Sequence, residues 1–327
     1  MNFLCLCMSP AIDSTITLER LPRSGDVVKL AKGAEVETVG GKGLNVARWL
    51  ARRGECVALG GLLGSEGASR FERELAANGI RDAMLRVPGP TRRNCMFTSS
   101  DGMFKMNWPA FPDLASDQWS DARIEALLLG EAAGAGEGAV AILSGSLPPS
   151  VPSGFYASFA RRLAARGVEV ALDASGAPLR QGVAACPAIL KPNRDEAAEL
   201  LGMALETEDD LVRALRTMLD FSPVVILSDG DAGCWFATRG ESPSAPRVWR
   251  VPSPRVDVID TTAAGDTLLA EFCHRFYPAR ELTEDVMRWA VAAGSAATTR
   301  PGAEPPAADL VERLHGETVV HSFLEIK

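Results

Sequence analysis

Short apolar runs alternate with helical segments that end in glycine, and few architectures accommodate that rhythm. Phe3–Met8, Cys56–Leu62, Ala139–Leu143, Val168–Leu172, Ala188–Leu190 and Val224–Leu227 read as buried strands, bounded by Gly, Ser, Pro or Asp. Between them Leu44–Arg53, Ser65–Asn78, Val151–Arg166 and Asp195–Leu201 have helical periodicity, followed by Gly54, Gly79, Gly167 and Gly202. A glycine just past a periodic segment is the expected helix stop. Strand–helix alternation predicts an α/β fold, with a central, mostly parallel sheet covered by helices on both faces. Ligands then bind beyond the C-terminal ends of the strands. With 327 residues, 46% of them hydrophobic, the chain suffices for one large domain over 1–327.

Two stretches break the rhythm. Residues 14–39 and 92–108 are richer in β-branched and polar residues, and Asp101-Gly102 stands between Asn94–Ser99 and Met103–Trp108. Asp-Gly between two such runs is a strong hairpin signal. These segments predict one small β-sheet laid over the cleft as a lid, and its exposed edges could pair with a second copy, a homodimer through the lid. Residues 239–247 read as an exposed loop. The tail 319–327 has strand-like character without a functional reading.

The net charge of −8 argues against a nucleic-acid surface, which needs a basic stripe. Seven Cys and three His show no zinc-like spacing, and Cys5 and Cys7 share one strand face as small core residues. An odd number of Cys and a start without a basic leader suggest a reducing cytoplasm. No apolar run approaches the roughly 20 residues of a membrane helix, so a soluble cytoplasmic protein is expected.

The chemistry concentrates near the C-terminus, in Asp260-Thr-Thr-Ala-Ala-Gly-Asp266. Small residues lead into a helix with Leu268, Leu269, Phe272 and Phe276 on its apolar face. Ala263, Ala264 and Gly265 let the backbone come close to a ligand, and free amides at a helix N-terminus attract anions. Asp266 falls in the first turn. Taken alone it equally describes an acid complementing the helix dipole. The functional alternative makes it a base that takes a hydroxyl proton, while the amides of residues 264–266 stabilise a transferring phosphoryl group. No Walker A sequence competes, because Gly41-Lys42 is followed by Gly43 and not by Ser or Thr.

Together with that turn, Gly40-Gly-Lys-Gly-Leu-Asn-Val-Ala-Arg48, Ser144-Gly-Ser-Leu-Pro-Pro149, Leu172-Asp-Ala-Ser-Gly176, Lys191-Pro-Asn-Arg-Asp-Glu196 and Leu227-Ser-Asp-Gly-Asp-Ala-Gly233 follow one another in order. The set resembles the phosphofructokinase-B, or ribokinase-like, family of carbohydrate kinases over essentially the whole chain, especially its 1-phosphofructokinases and tagatose-6-phosphate kinases. The resemblance implies a ribokinase-like fold, with ATP and Mg2+ as cosubstrate and metal. Asp266 becomes the base, and Thr261 and Gly265 meet the ATP phosphates. Lys191, Asn193, Ser228, Gly230 and Gly233 line the nucleotide side. Asn193 and Glu196 organise the metal indirectly, although by themselves they equally describe a helix cap.

The N-terminal half speaks for the acceptor. Ser9-Pro-Ala-Ile-Asp13 resembles a sugar-binding segment whose Asp binds sugar hydroxyls, which a carboxylate does by accepting two hydrogen bonds. Gly41, Lys42 and Asn45 match the sugar-binding turn, and Ser144 joins them. Thr91-Arg92-Arg93-Asn94 resembles an element whose Arg grips a phosphate already on the sugar, a task for which a guanidinium is suited. Lys29 occupies the place of a second phosphate-binding cation. The implied reaction converts fructose 1-phosphate to fructose 1,6-bisphosphate, with tagatose 6-phosphate or fructose 6-phosphate as other acceptors. The rivals are a kinase of an unphosphorylated sugar or nucleoside and a non-catalytic sugar-phosphate-binding regulator.

Overall fold

The computed structural model describes residues 1–111, 113–130, 138–239 and 246–323. Ten strands form the main sheet: β1 (Asn2–Cys7), β4 (Cys56–Glu66), β5 (Arg81–Pro90), β8 (Val140–Ser144), β9 (Glu169–Asp173), β10 (Ile189–Leu190), β11 (Val224–Ser228), β12 (Cys234–Thr238), β13 (Arg247–Val251) and β14 (His321–Phe323). Their order is β14-β13-β12-β11-β10-β9-β8-β1-β4-β5. From β11 to β5 every pairing is parallel, and β12, β13 and β14 extend the sheet antiparallel.

Both faces are covered, as continuous apolar strands require. Along β1, Phe3, Cys5 and Cys7 enter one core, while Leu4 and Leu6, followed by Met8, enter the other. The first core is closed by α1 (Lys42–Arg52), α2 (Ala68–Ala77), α8 (Ala264–Phe276), α9 (Glu284–Ala297) and α10 (Ala308–Glu317). The second is closed by α3 (Asp121–Leu129), α4 (Phe155–Ala164), α5 (Gly176–Gly182), α6 (Arg194–Leu201) and α7 (Glu208–Met218). Each fully buried Leu or Phe contributes about 1.5–3 kcal/mol through removal from water.

A second sheet of four strands, in the order β3-β2-β6-β7, is built from β2 (Ala11–Thr17), β3 (Glu35–Gly40), β6 (Arg92–Ser99) and β7 (Gly102–Asn107). The Asp101-Gly102 hairpin joins β6 to β7 antiparallel, with β7 ending at Asn107. Residues 18–34 connect β2 to β3 without a helix or strand. Only Met8–Pro10 separate β1 from β2, so the chain passes directly from the main sheet into the small one at the C-terminal edge of the parallel strands.

Two helix starts differ from the sequence reading. Ser65 and Glu66 finish β4, which outlasts its apolar run, and α2 begins at Ala68. The segment from Val151 turns before α4 starts at Phe155, because Pro152 disfavours helical geometry at the residue before it. Residues 240–245 of the expected loop and 324–327 of the tail lie outside the described residues; His321–Phe323 add an edge strand to the main sheet. No helix among the described residues is long and apolar enough to cross a membrane.

Candidate active site

Parallel strands deliver their C-terminal residues to one edge, and the site begins there. Ser144 ends β8, Asp173 ends β9, Lys191 follows β10 and Ser228 ends β11. The 260–266 turn comes to the same edge. Asp260 shapes it: Oδ1 accepts from the amide and hydroxyl of Thr262 at 2.9 and 2.7 Å, and Oδ2 accepts from the Gly302 amide at 3.0 Å. The chain then enters α8 through Ala263, whose φ of 63° lies in the left-handed region. The Ala264 amide donates a long 3.3 Å bond to the Thr261 carbonyl. The amides of Gly265 and Asp266 have no partner among the described residues, which leaves two adjacent donors at a helix N-terminus.

Asp266 is 4% exposed, and its Oδ2 accepts from Asn45 Nδ2 of α1 at 2.8 Å. Burial pushes its pKa up to about 6, with the Lys42 ammonium opposing the rise and the Asp173 carboxylate adding to it. That value suits a base working near neutral pH.

Two cavities are lined by neighbours of this carboxylate, Gly265 in one and Lys42 in the other. One, of about 470 Å3, is lined on its polar side by Asn193, Ser228, Gly230, Gly233, Thr261 and Gly265. Its apolar wall includes Val256, Val258, Leu268 and Val291. Lys191 approaches from below, where a Cβ added to Gly265 would lie 3.4 Å from its Nζ. All the residues expected on the nucleotide side therefore come together. Asn193 and Glu196 form a reciprocal capping box at the start of α6, with bonds of 2.8 and 2.9 Å. Asp229 pairs with Arg194 at 3.1 Å and its amide closes onto the Gly233 carbonyl at 2.8 Å, which holds the 228–233 loop against the cavity.

The other cavity, of about 240 Å3, is polar and cationic, lined by Ser9, Lys42, Arg92, Ser144, Ser146 and Ser175 among others. Lys42 lies 3.1 Å from Asp173 Oδ1, and neighbouring carboxylates, Asp173 before Asp266 and Glu196, outweigh burial and hold its ammonium charged. Arg92 donates to the carbonyls of Ser9, Pro10 and Trp108 at 3.1, 3.3 and 3.2 Å. Three of its five N–H groups are thus spent, and two remain for an anion. The buried Ser144 hydroxyl and Asn45 Oδ1 have no partner among the described residues, a state that buried polar groups rarely keep without a ligand or water.

Asp13 sits on β2 opposite Asn94 of β6, and its Oδ1 accepts from Asn94 Nδ2 at 2.7 Å. Burial raises its pKa, partly offset by Asn94, Arg92 and Lys105. The glycine run owes its composition to this packing: a Cβ on Gly40 would overlap Asp13 Oδ2, and one on Gly41, at φ 130°, would lie 2.6 Å from Cys7 Sγ. Lys29 is not brought to this cluster. It is exposed in the 18–34 connection and lines none of the described cavities.

Three residues of this arrangement escaped the sequence reading as site members. Asp173 stands within a quoted motif at a strand end, the signal that could have found it. Asn94 neighbours Arg92. Lys105 of β7 donates to Thr262 Oγ1 at 3.5 Å and so reaches from the small sheet to the turn, which periodicity alone does not reveal. A further cavity of about 680 Å3, beside Pro88–Pro90, Trp108 and Phe111, adjoins the cationic one through Arg92, which lines both.

Comparison with known proteins fits this geometry. The pfkB family carbohydrate kinase model matches residues 8–309. The chain is 33% identical over 302 residues to a 1-phosphofructokinase of Rhodobacter capsulatus, covering 91% of this chain and 92% of the relative. It is 27% identical to a tagatose-6-phosphate kinase of Staphylococcus epidermidis over 82% of this chain and 83% of the relative. Among solved structures, phosphofructokinase-2 from Escherichia coli superposes with a TM-score of 0.84 at 24% identity, covering 97% of this chain and 98% of that one, a likeness of fold.

Proposed function

The chain belongs to the pfkB family of carbohydrate kinases, and from this we propose that it transfers the γ-phosphoryl group of ATP to a hydroxyl of a phosphorylated ketohexose, fructose 1-phosphate first, giving fructose 1,6-bisphosphate. One observation carries the reading: a buried carboxylate poised near pH 6 directly follows Gly265 of the glycine-lined cavity and feels the charge of Lys42 of the cationic one. Asp266 takes the acceptor hydroxyl proton, the oxygen attacks the γ-phosphorus, and the bond to the ADP oxygen breaks. The Gly265 and Asp266 amides and Lys191 meet the charge on the transferring group. Arg92 and Lys42 hold the phosphate already on the sugar, which favours a phosphorylated acceptor over a free sugar or nucleoside. Tagatose 6-phosphate is the second acceptor, favoured by the likeness to the Staphylococcus epidermidis enzyme.

The described residues contain no group of three or more His, Cys, Asp or Glu arranged to hold a metal. Asn193 and Glu196, at the start of α6, would reach Mg2+ through water, and the ion would neutralise triphosphate charge.

In this reading residues 1–327 act as one kinase domain, and segments about 14–39 and 92–108 act as a lid that excludes water on closure. A homodimer through the small sheet is supported by the exposed apolar side chains Val36, Met103 and Phe104. A cytoplasmic setting is supported by seven unpaired cysteines.

A coupled ADP-release assay over fructose 1-phosphate, tagatose 6-phosphate, fructose 6-phosphate and the free sugars tests the acceptor. Activity confined to free sugars would overturn it. Asp266→Asn is expected to lower kcat by about a thousandfold or more while ATP affinity stays within about twofold. Unchanged turnover would remove Asp266 from the role of base.

A further inference from the structure

Asp173 is fully buried, and among the described residues its carboxylate receives no hydrogen bond from a backbone amide. Its side-chain surroundings are instead two ammoniums from different elements. Lys42, the first residue of α1, lies 3.1 Å from Oδ1 and lines the cationic cavity. Lys191, which follows β10, lies 3.4 Å from Oδ2 and stands beneath Gly265 of the phosphate turn. Among the described residues Oδ2 has no hydrogen-bond partner, so the second contact is one of charge.

A lone buried carboxylate is costly, and this one caps no helix and staples no loop. Lysine, a point charge on a flexible stem, holds a fixed position only when something anchors it. Two ammoniums directed at neighbouring phosphates also repel each other, and a carboxylate between them removes that repulsion.

We propose that Asp173 is a positioning residue for phosphoryl transfer, holding from one carboxylate both the cation of the acceptor cavity and the cation of the phosphate turn. The assignment rests on the kinase reading above. It also bears on the base. The groups facing Asp266 are Lys42 and Asn45 from α1, Asp173 from β9, Lys191 after β10 and the Cys7 thiol of β1, with Glu196 of α6 acting on Lys42. Among them Asp173 is the anion that opposes two cations. Its neutralisation leaves Asp266 facing uncompensated positive charge, which makes the base weaker.

The test compares Asp173→Asn, nearly isosteric, with Lys42→Met and Lys191→Met, using fructose 1-phosphate and ATP. D173N is expected to raise KM for both substrates about tenfold, whereas K42M raises chiefly the sugar-phosphate KM and K191M chiefly that of ATP. The acid limb of kcat/KM in D173N is expected to move down by about one pH unit. A D173N enzyme with a lowered Tm but unmoved KM values and acid limb would make Asp173 merely structural and overturn the proposal.

The two lysine variants leave Asp173 in place and supply an arm independent of how D173N folds. Because they share one carboxylate, their effects on kcat should depart from additivity by about fivefold or more in the double variant. Additive effects overturn the proposal. A wild type that turns over none of the ketohexose phosphates would overturn the kinase reading itself, a result distinguishable from an active wild type with an unresponsive D173N.

Discussion

Ala263 enters α8 with φ 63° and ψ 4°, where an L-residue carries a steric cost of about 1–2 kcal/mol that glycine does not. Glycine also loses more freedom on folding, which returns roughly 0.4–1 kcal/mol. Ala263→Gly should therefore stabilise the protein by about 0.5–1 kcal/mol, read as a small rise in Tm. Three residues on, Asp266 carries an opposite tension. Its folded pKa near 6 lies above the ordinary value of 3.8, so at neutral pH its buried charge costs stability, on the order of 3 kcal/mol. That cost is present above about pH 6 and fades as pH falls toward 3.8. Asp266→Asn should then be the more stable protein at pH 7, with the advantage shrinking near pH 4 in denaturant titrations. In the active enzyme kcat/KM should be level above about pH 6 and fall about tenfold per unit below it.

The small sheet and α1 act as units. The register of β2 against β6 sets Asp13 beside Asn94, and β7 carries Lys105 to Thr262 of the 260–266 turn. That contact joins the small sheet to the turn that leads to Asp266, and Lys105 is exposed, so its loss leaves the fold intact. Lys105→Ala should raise KM for the sugar phosphate about three- to tenfold with kcat nearly retained, and increase ADP release in the absence of sugar. Equal KM values and no added hydrolysis would disconnect β7 from closure. For α6, the reciprocal Asn193–Glu196 cap means that these residues stabilise a helix start whatever else they do.

One buried charge ties the packed helices together. Glu271 of α8, fully buried, accepts at 2.7 Å from Trp49 Nε1 of α1 and from Nε of Arg53, which caps that helix, and at 3.0 Å from Arg275. Arg275 in turn lies over the Trp289 ring of α9 at 4.2 Å. Removing one partner of a buried ionic group strands the others, so Glu271→Ala should cost about 3–5 kcal/mol in a urea titration. An exposed pair such as Arg313–Glu317 of α10 should cost no more than about 0.5 kcal/mol on the same measure. The contrast follows from desolvation: Glu271 is fully buried, so its loss strands the buried Trp49 indole N–H and two guanidinium groups that are only partly exposed, whereas Arg313 and Glu317 stand largely in water.

Local rules made the strand–helix rhythm, the Asp101-Gly102 hairpin and the small-residue entrance to α8 legible from residue order, because strand burial, helix stops and turn chemistry depend on neighbours within a few positions. The ordered motifs did the same for the residues that meet in the glycine-lined cavity. Helix starts at Ala68 and Phe155 were less legible, since sheet pairing prolonged β4 and Pro152 delayed α4. Other features needed the folded chain. Asn45 and Asp266 bond across 221 positions, and Lys42 meets Asp173 across 131. The raised pKa of Asp266, the unpartnered Ser144 hydroxyl, the isolation of Lys29 from the cluster and the two lysines on one carboxylate all depend on which strand ends and helix starts become neighbours. Burial and electrostatic coupling act through space, so no window of sequence contains them.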